Sequence, residues 1–562
     1  MTQRFGRLGG LAAALLLVTV GQGQAQPAAG AQAAGIPIEN ATVRTTCGGC
    51  HTPDERGRMS RISYQRNTPE GWQDTIKRMM ALNGLRMDPA AGREIVRYLS
   101  NELGLAPEEA RPVAYEVEKR LVDEKNVAPE LQGVCNACHS TGRVLSQRRS
   151  RDEWELLVSM HRGWYPLVDR QVFRRMGPAP RDRSADGRPP DTRHPHEKAV
   201  DYLARTYPLV TPEWERWSAA QRPARLGGEW FLTAHEPGKG PAFGRMTLTP
   251  VAGSDDEFTS EVTFTYARTG EQVRRSGRVS IYTGFQWRGR SSAAPQGDVY
   301  REVMFVDRDQ RRIDGRWFTG GYDETGMDVT LTRASGDLTL LGTDRSGLRR
   351  GATGVALRVF AANVPEGVQA RDLDFGAGVT VTQVAVAAGV VTATVSVAAD
   401  APVGPRDVSL RGSVRPGAAV VYDRIDSVRV TPEWNMARTG GVSFPKRLAQ
   451  FEAVAYANGP DRRPGTDDDL RIDVVDAQWS LAEYTATLND DDVKFVGRIN
   501  EATGLFTPNA EGPNPQRSGE RNNIGDVWVV ATVSEGGQAV RGRAHLLVSP
   551  PVYMRFDPTV TP

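Results

Sequence analysis

The pattern of hydrophobic and polar positions changes rhythm along the chain. Arg4 and Arg7 precede an apolar run from Leu8 to Val20, and Gly21 to Ala25 then supply small residues. A run of that length with that charged flank has the form of a signal peptide, cleaved after Ala25, and is too short to span a bilayer comfortably. No later stretch reaches the roughly 18 apolar residues a spanning helix needs, so the mature chain is expected to be soluble, extracytoplasmic and without a membrane span. Over 26–211 the apolar positions recur at helical spacing, most clearly in Asp88–Asn101 and His196–Tyr207. Each of these segments carries a Tyr-Leu pair, Tyr98-Leu99 and Tyr202-Leu203. From Gly228 the period becomes two, in Phe243–Thr249, Thr259–Ala267, Gly277–Tyr282, Val299–Val306 and Gly326–Leu341. Alternation bounded by Gly, Asp and Asn predicts antiparallel strands. They form one curled or barrel-like domain over 212–355, with Trp287 and Trp317 in its core or at its rim. A second β unit, 356–436, begins at Val355–Phe360 and continues through Val379–Val386, Val390–Val397 and Pro405–Leu410. A third, 437–562, has long loops at Asn458–Asp469 and Thr507–Asn523 and ends on strands Val527–Ser534 and Gln538–Leu547.

Composition then narrows the chemistry. In 562 residues, Lys+Arg number 70 against 68 Asp+Glu, a net charge of +2 that excludes a bulk basic nucleic-acid binder. Four cysteines and seven histidines exclude a disulfide-dense scaffold and any large cysteine-ligated metal cluster. In an exported chain four cysteines ordinarily suggest two disulfides, but the spacing points elsewhere. Cys47-Gly48-Gly49-Cys50-His51 and Cys135-Asn136-Ala137-Cys138-His139 both fit C-x-x-C-H and use every cysteine. One helical turn presents two sulfurs to the same haem edge and aims the following imidazole at the iron, so each motif predicts a covalently bound haem c. A redox C-x-x-C or a four-cysteine zinc site would leave the His after each pair unexplained.

The two motifs open an internal repeat. Arg61-Ile62-Ser63-Tyr64-Gln65-Arg66 and Arg143-Val144-Leu145-Ser146-Gln147-Arg148 align without a gap, placing Trp72 on Trp154 and Met79 on His161. The repeat predicts two lobes, about 36–105 and 120–211, with one haem each. Beyond His51 the first lobe has no histidine, so its distal ligand is expected to be Met79, with Met80 and Met87 as competitors. In the second lobe the leading distal ligand is His161, with Met160 and Met176 as alternatives, while His194 and His196 read as surface or cap residues. Iron ligands are therefore expected at His51, Met79, His139 and His161. His/Met ligation raises a haem potential and bis-His lowers it, unless burial or hydrogen bonds reverse the order.

The β region shows no nucleophile elbow, Walker loop or dinucleotide fingerprint, and only His235 and His545 remain there. Asp467-Asp468-Asp469 could hold a hard cation, but lacks EF-hand spacing and reads better as a solvated loop. A di-haem module passes electrons without itself oxidising an organic substrate. No catalytic residue is therefore assigned to this chain, and the oxidising centre is expected on another subunit.

Tandem C-x-x-C-H lobes, then one β domain and two more, in an exported chain of this length, resemble the alpha subunit of quinohaemoprotein amine dehydrogenase. The resemblance covers essentially the whole mature chain. It implies a multidomain fold: a mostly α-helical tandem cytochrome c domain followed by three antiparallel β domains, one barrel-like and two immunoglobulin-like sandwiches. It also implies a periplasmic αβγ heterotrimer, with a β-propeller subunit and a small subunit carrying cysteine tryptophylquinone. There a primary amine becomes aldehyde and ammonia, and electrons leave through two haems to azurin or a small cytochrome c. Cys47, Cys50 and His51 would hold the first haem, and Cys135, Cys138 and His139 the second. The family's mixed ligation is compatible with Met79 and His161. The alternative is a di-haem electron-transfer subunit of a different periplasmic dehydrogenase, and a neighbouring gene for a short cysteine-rich chain would discriminate against it.

Overall fold

The computed structural model describes residues 34–115, 127–136, 140–165, 193–293, 297–441, 445–484 and 490–551. The leader expected at 1–25, together with Cys138, His139 and Met176, lies outside the described residues. The first lobe is built from α1 (Ala41–Cys47), β1 (Gln65–Asn67), α2 (Pro69–Asn83) and α3 (Pro89–Glu102). A short α4 (Pro107–Ala110) follows in the connector. The second lobe contributes α5 (Gly142–Leu145), β2 (Gln147–Arg149), α6 (Arg151–Trp164) and α7 (Pro195–Thr206), and α8 (Pro212–Ala219) leads out of it. No described helix is long and apolar enough to cross a membrane.

The repeat is visible in three dimensions. Thr68 caps α2 by accepting from Gly71 N at 3.2 Å, and Ser150 caps α6 by accepting from Glu153 N at 3.3 Å. Trp72 Nε1 donates to Leu103 O at 3.1 Å, and Trp154 Nε1 to Tyr207 O at 3.2 Å. Both acceptors are the C-cap residues of the helices that close their lobes, α3 and α7. Each carbonyl also accepts a backbone N–H from the end of β1 or β2, Asn67 N at 3.0 Å and Arg149 N at 3.3 Å. One residue per lobe thus ties strand, following helix and closing helix together. β1 and β2 pair antiparallel, with Arg66 opposite Arg148. Because these two arginines are repeat equivalents, a pseudo-two-fold axis relating the lobes passes through that pair.

A closed barrel follows, in the order β10-β3-β4-β5-β6-β7-β8-β9. Its strands are β3 (Gly228–Glu236), β4 (Gly240–Pro250), β5 (Glu257–Tyr266), β6 (Gln272–Tyr282), β7 (Gln286–Ser292), β8 (Val299–Val306), β9 (Arg312–Phe318) and β10 (Gly326–Arg333). Alternate residues face inward, among them Trp230, Met246, Phe264, Trp287, Trp317 and Leu331, all buried. Trp287 and Trp317 both belong to this core and neither sits at the rim. Leu105 and Ala110 from the connector join the same cluster, so the link between the lobes is part of the barrel core. Arg288 on β7 holds Glu70 of α2 in an ion pair, and Asn101 Oδ1 accepts from Thr283 N at 2.7 Å.

Next, two four-stranded sheets share one core, with Leu357, Val359, Val391 and Val395 from one and Val408, Leu410, Ala419 and Val421 from the other. The last unit comprises a four-stranded sheet and two three-stranded sheets around Phe451, Trp479, Phe506, Val529 and Leu546.

The expectation of a mostly α-helical tandem cytochrome ahead of three antiparallel β domains is overturned. Among the described residues, strands hold 42% and helices 20%. The haem-motif region itself carries the β1–β2 ribbon, and sharp turns separate its helices. Gly84 ends α2 in a left-handed conformation, and Pro89 and Pro107 restart the helices that follow. Nor are the later sheets purely antiparallel. Strand Gly347–Arg349 runs parallel to Ser413–Tyr422, and Trp434–Arg438 parallel to Gln538–Ser549.

Within the barrel, Glu302 is buried and accepts from Trp287 Nε1 at 2.9 Å. Gly289 leaves the space this carboxyl fills, since a Cβ there would collide with Glu302 Oε2. Burial pushes the Glu302 carboxyl up from 4.5 to about 7, against the opposing pull of Ser291, Trp287 and Arg275. An acid raised on folding loses stability as pH climbs from its unfolded to its folded value, here from 4.5 to about 7. Glu302→Gln is therefore expected to leave the barrel's calorimetric transition nearly unchanged at pH 4.5 and to stabilise it by about 3 kcal/mol at pH 8. An equal effect at both pH values would show that Glu302 is ionised throughout. Replacing Trp72 or Trp154 by Phe removes a donor from a lobe-closing carbonyl, an expected loss of about 1–3 kcal/mol in guanidinium unfolding followed by far-UV circular dichroism. An unmoved midpoint would mean that the backbone donor alone satisfies that carbonyl.

Candidate haem sites and the junction between the lobes

Cys47 ends α1, and the chain then makes a single turn in which Cys50 N and His51 N both approach Cys47 O, at 3.2 and 2.9 Å. That turn sets the two thiols three residues apart on one face, with the imidazole immediately after. Cys47 is half-buried against the first-lobe core of Ile38, Val43, Trp72, Ile95 and Leu99, while Cys50 is exposed. Burial, then the neighbouring Cys50, raises the Cys47 thiol pKa. His51 is half-buried, and burial lowers its pKa against the Ser60 backbone, which raises it. Its Nδ1 is buried without a hydrogen-bond partner. A neutral imidazole in an apolar setting is the protonation state a metal ligand requires.

Met79 lies on α2, half-buried, and its Sδ accepts from Asn83 Nδ2 at 3.7 Å. Met80 is 44% exposed. Met87, in the turn between α2 and α3, packs on the same core cluster as Cys47, which Met79 and Met80 do not join.

In the second lobe Cys135 packs among Leu131, Val144, Trp154 and Leu203, and burial pushes its thiol up to about 11. His161 occupies on α6 the position Met79 occupies on α2. Its Nδ1 donates to Leu157 O at 2.8 Å, which orients the ring and, in a neutral imidazole, leaves the lone pair on Nε2. His194 caps α7 by accepting from His196 N at 3.2 Å. His196 departs from the surface expectation: it is buried, with Arg162 Nη2 at 2.9 Å from its Nδ1.

The donor sets fit haem. Exposed apolar side chains also gather on the helices that carry Met79 and His161: Met80 and Leu82 on α2, Leu156 and Trp164 on α6, and Tyr165 just beyond. Leu82 and Trp164 are repeat equivalents. An apolar macrocycle bound at each motif is a cover of the kind such surface requires.

Between the lobes lies a group that sequence reading did not find. Glu109, in the connector helix α4, takes two hydrogen bonds from Arg66, Nη1 to Oε2 at 2.7 Å and Nη2 to Oε1 at 2.9 Å. Arg148 Nε donates to the same Oε1 at 3.1 Å, Thr211 Oγ1 at 2.8 Å, and Ala106 N reaches Oε2 at 2.9 Å. The side chains of Arg66, Arg148 and Glu109 are 0%, 8% and 5% exposed. Burial alone would raise the Glu109 carboxyl, but the Arg66 hydrogen bonds and the Arg66 and Arg148 charges outweigh it and hold the pKa at about 2. A second group of the same form crosses the junction: Glu153 meets Arg61 at 2.9 Å and Arg149 at 3.5 Å. The repeat revealed Arg66 and Arg148 as equivalents. Nothing in Pro107-Glu108-Glu109-Ala110 marked its second acid as their shared partner.

The acidic clusters of the last unit are internally satisfied. Asp469 accepts from Gly465 N at 2.7 Å and pairs with Arg429, and its side chain is only 1% exposed, so the third acid of 467–469 is turned into its own loop rather than solvated. The carboxylates of Asp490–Asp492 gather within 4.8 Å, but Arg517 bonds Asp491 and Asp492, and Arg521 bonds Asp491. His235 and His545 are bonded to Glu452 and Asp526.

Among solved structures the chain is similar to a redesigned β barrel, at 18% identity over 20% of this chain and 92% of that one, with a TM-score of 0.17. It is similar to mouse clustered protocadherin PcdhgC3 EC1-3 at 10% identity, over 46% and 85% of the two chains, with a TM-score of 0.16. A Bacteroides ovatus SGBP-B from a mixed-linkage glucan utilisation locus aligns at 11% identity over 57% and 60%, with a TM-score of 0.17. No curated protein matches. Four family descriptions match in succession. Residues 38–214 match "Quinohemoprotein amine dehydrogenase A, alpha subunit, haem binding", and 223–334, 339–423 and 428–559 match that alpha subunit's domains II, III and IV. The chain therefore belongs to the alpha-subunit family of quinohaemoprotein amine dehydrogenase, an oxidoreductase of more than one subunit, and its N-terminal region is the haem-binding domain.

Proposed function

We propose that this chain is the electron-transfer subunit of a periplasmic amine dehydrogenase and holds two covalently attached haem c groups. The observation that carries the reading is the repetition of one site plan. Each lobe opens on a C-x-x-C-H motif, and each carries a ligand-capable side chain, Met79 or His161, at the same place on equivalent helices. Cys47 and Cys50 supply the thioether sulfurs of the first site and His51 its proximal nitrogen. Cys135, Cys138 and His139 do so in the second. The hydrogen bond from His161 Nδ1 to Leu157 O orients that imidazole with Nε2 as its donor atom. When bound, each haem supplies a one-electron iron couple.

The chain is exported by its 1–25 leader, and the mature protein divides into four domains close to the matched spans 38–214, 223–334, 339–423 and 428–559. Its partners are a β-propeller subunit and a small subunit bearing cysteine tryptophylquinone. There a primary amine and water yield aldehyde, ammonia, two protons and two electrons. The electrons leave singly through this chain to azurin or a small cytochrome c. Packing favours a second reading at one position: Met87 shares its cluster with Cys47 and competes with Met79 as distal ligand.

The complex purified from periplasm tests the function. Anaerobic addition of butylamine or benzylamine is expected to reduce the haems, read as growth of the α-band, with formation of aldehyde. If a broad amine panel fails while dithionite reduces both haems, the amine assignment falls. For the ligands, Met79→Leu is expected to abolish the methionine-to-iron charge-transfer absorption, whereas Met87→Leu retains it; the reverse result assigns Met87. Acid-acetone extraction is expected to leave both haems on the chain, and Cys50→Ala to leave the first haem attached through one thioether, read as a shifted pyridine haemochrome band.

A further inference from the structure

The Arg66–Glu109–Arg148 group is an expensive thing to bury. Replacing buried ion pairs with apolar side chains is often neutral or stabilising, and an uncompensated buried cation costs more than a matched pair. This one is unmatched by count: two guanidinium groups share one carboxylate, leaving a single positive charge. The neighbouring Arg61–Glu153–Arg149 group repeats the excess rather than cancelling it. The remaining contacts of the two arginines add no negative charge. Arg66 donates to Leu209 O at 2.6 Å and Gly104 O at 3.0 Å, and Arg148 to Leu145 O at 2.9 Å and Gln147 O at 2.8 Å. Aromatic faces complete the enclosure, with Trp214 4.8 Å from Arg66 and Tyr207 4.9 Å from Arg148.

The position is as informative as the charge. Arg66 and Arg148 are repeat equivalents facing each other across the β1–β2 ribbon. Both strands run within a residue or two into the helices that bear Met79 and His161. The excess charge therefore lies on the pseudo-two-fold axis and stands in the same relation to both lobes. In a low-dielectric interior a fixed charge acts over longer distances than in water. A positive charge favours whichever state of a nearby redox centre carries one more electron.

We propose that the Arg66–Glu109–Arg148 group is an electrostatic element that raises the reduction potentials of both haems together, by holding one uncompensated positive charge at the junction of the lobes. It rests on the two-haem reading above. The arginines and Glu109 act on the iron through space and are not catalytic residues.

The test is a spectroelectrochemical titration of the intact complex and three variants. Arg148→Met leaves the Arg66–Glu109 pair in place and removes the excess charge, and both midpoint potentials are expected to fall. Glu109→Gln keeps the shape and adds to the excess, and both are expected to rise. Arg148→Lys preserves charge while losing the guanidinium geometry, and both are expected to stay near the wild type. Loosened packing would move Arg148→Met and Glu109→Gln in the same direction, so opposite signs separate an electrostatic role from a structural one. If Glu109→Gln does not accumulate, the Arg148→Met and Arg148→Lys pair decides alone. Unshifted potentials, or shifts of one sign, with two haems bound would overturn this proposal and leave the two-haem reading standing. A wild-type chain whose pyridine haemochrome shows no covalent haem would overturn both.

Discussion

One buried carboxylate has to serve two guanidinium groups, and much of the N-terminal half is arranged around that requirement. Glu109 can meet Arg66 and Arg148 together only if β1 and β2 lie side by side, which sets the lobes in a near two-fold relation. It also has to arrive from the connector, so the first described part of that link, through α4, is held against the protein. Its helix α4 is drawn inward, and Leu105 and Ala110 beside it complete the barrel core. Thr211, which caps α8 at Trp214 N, donates to the same carboxylate and fixes where the second lobe ends. Removing one partner of such a buried group typically costs about 3–5 kcal/mol because the survivor is left charged and unpaired. Haem lobes, connector and barrel are thereby one cooperative assembly.

Within that frame the duplicated lobes keep their scaffold and vary their chemistry. The serine or threonine cap, the indole donor and the doubly bonded C-cap carbonyl are the same in both. The side chain two turns further on differs, Met79 in one and His161 in the other. Separating the shared supports from the side chain that varies lets one backbone plan present two chemically different side chains at the same place. His161 carries its own orienting bond to Leu157 O within α6, so the change of donor needs no new contact from elsewhere.

What the sequence revealed follows from the range of the interactions involved. C-x-x-C-H depends on one helical turn, and the repeat on a gap-free comparison, so both could be read directly. Period-two alternation exposed most barrel strands because each inner residue, such as Trp287 or Leu331, is buried by a local rule. Glu109 was invisible because its partners lie 43 and 39 residues away, and one glutamate among four residues has no periodicity. His196 looked like a surface residue because its polar neighbours masked a buried face of α7. The mostly helical expectation failed because helical spacing located α3 and α7 to within a residue at each end but gave no sign of the β1–β2 ribbon, whose two strands lie far apart in the chain. The parallel strand pairs escaped because each partner lies in a different part of its unit.

The strand Trp434–Arg438 enters the last unit at its start, yet its neighbour is Gln538–Ser549. Thr439 and Ser549 meet across 110 residues of chain. Contacts of such separation slow folding, because loop closure precedes any return from packing. During synthesis this unit waits, with Val430, Ala437 and Phe451 uncovered, until its final strand emerges. The lobes and barrel also close over long spans, β1 with β2 and β3 with β10, but their last strands are made earlier. The order of assembly therefore runs with the chain, and the last unit is the slowest to be sheltered from aggregation or proteolysis.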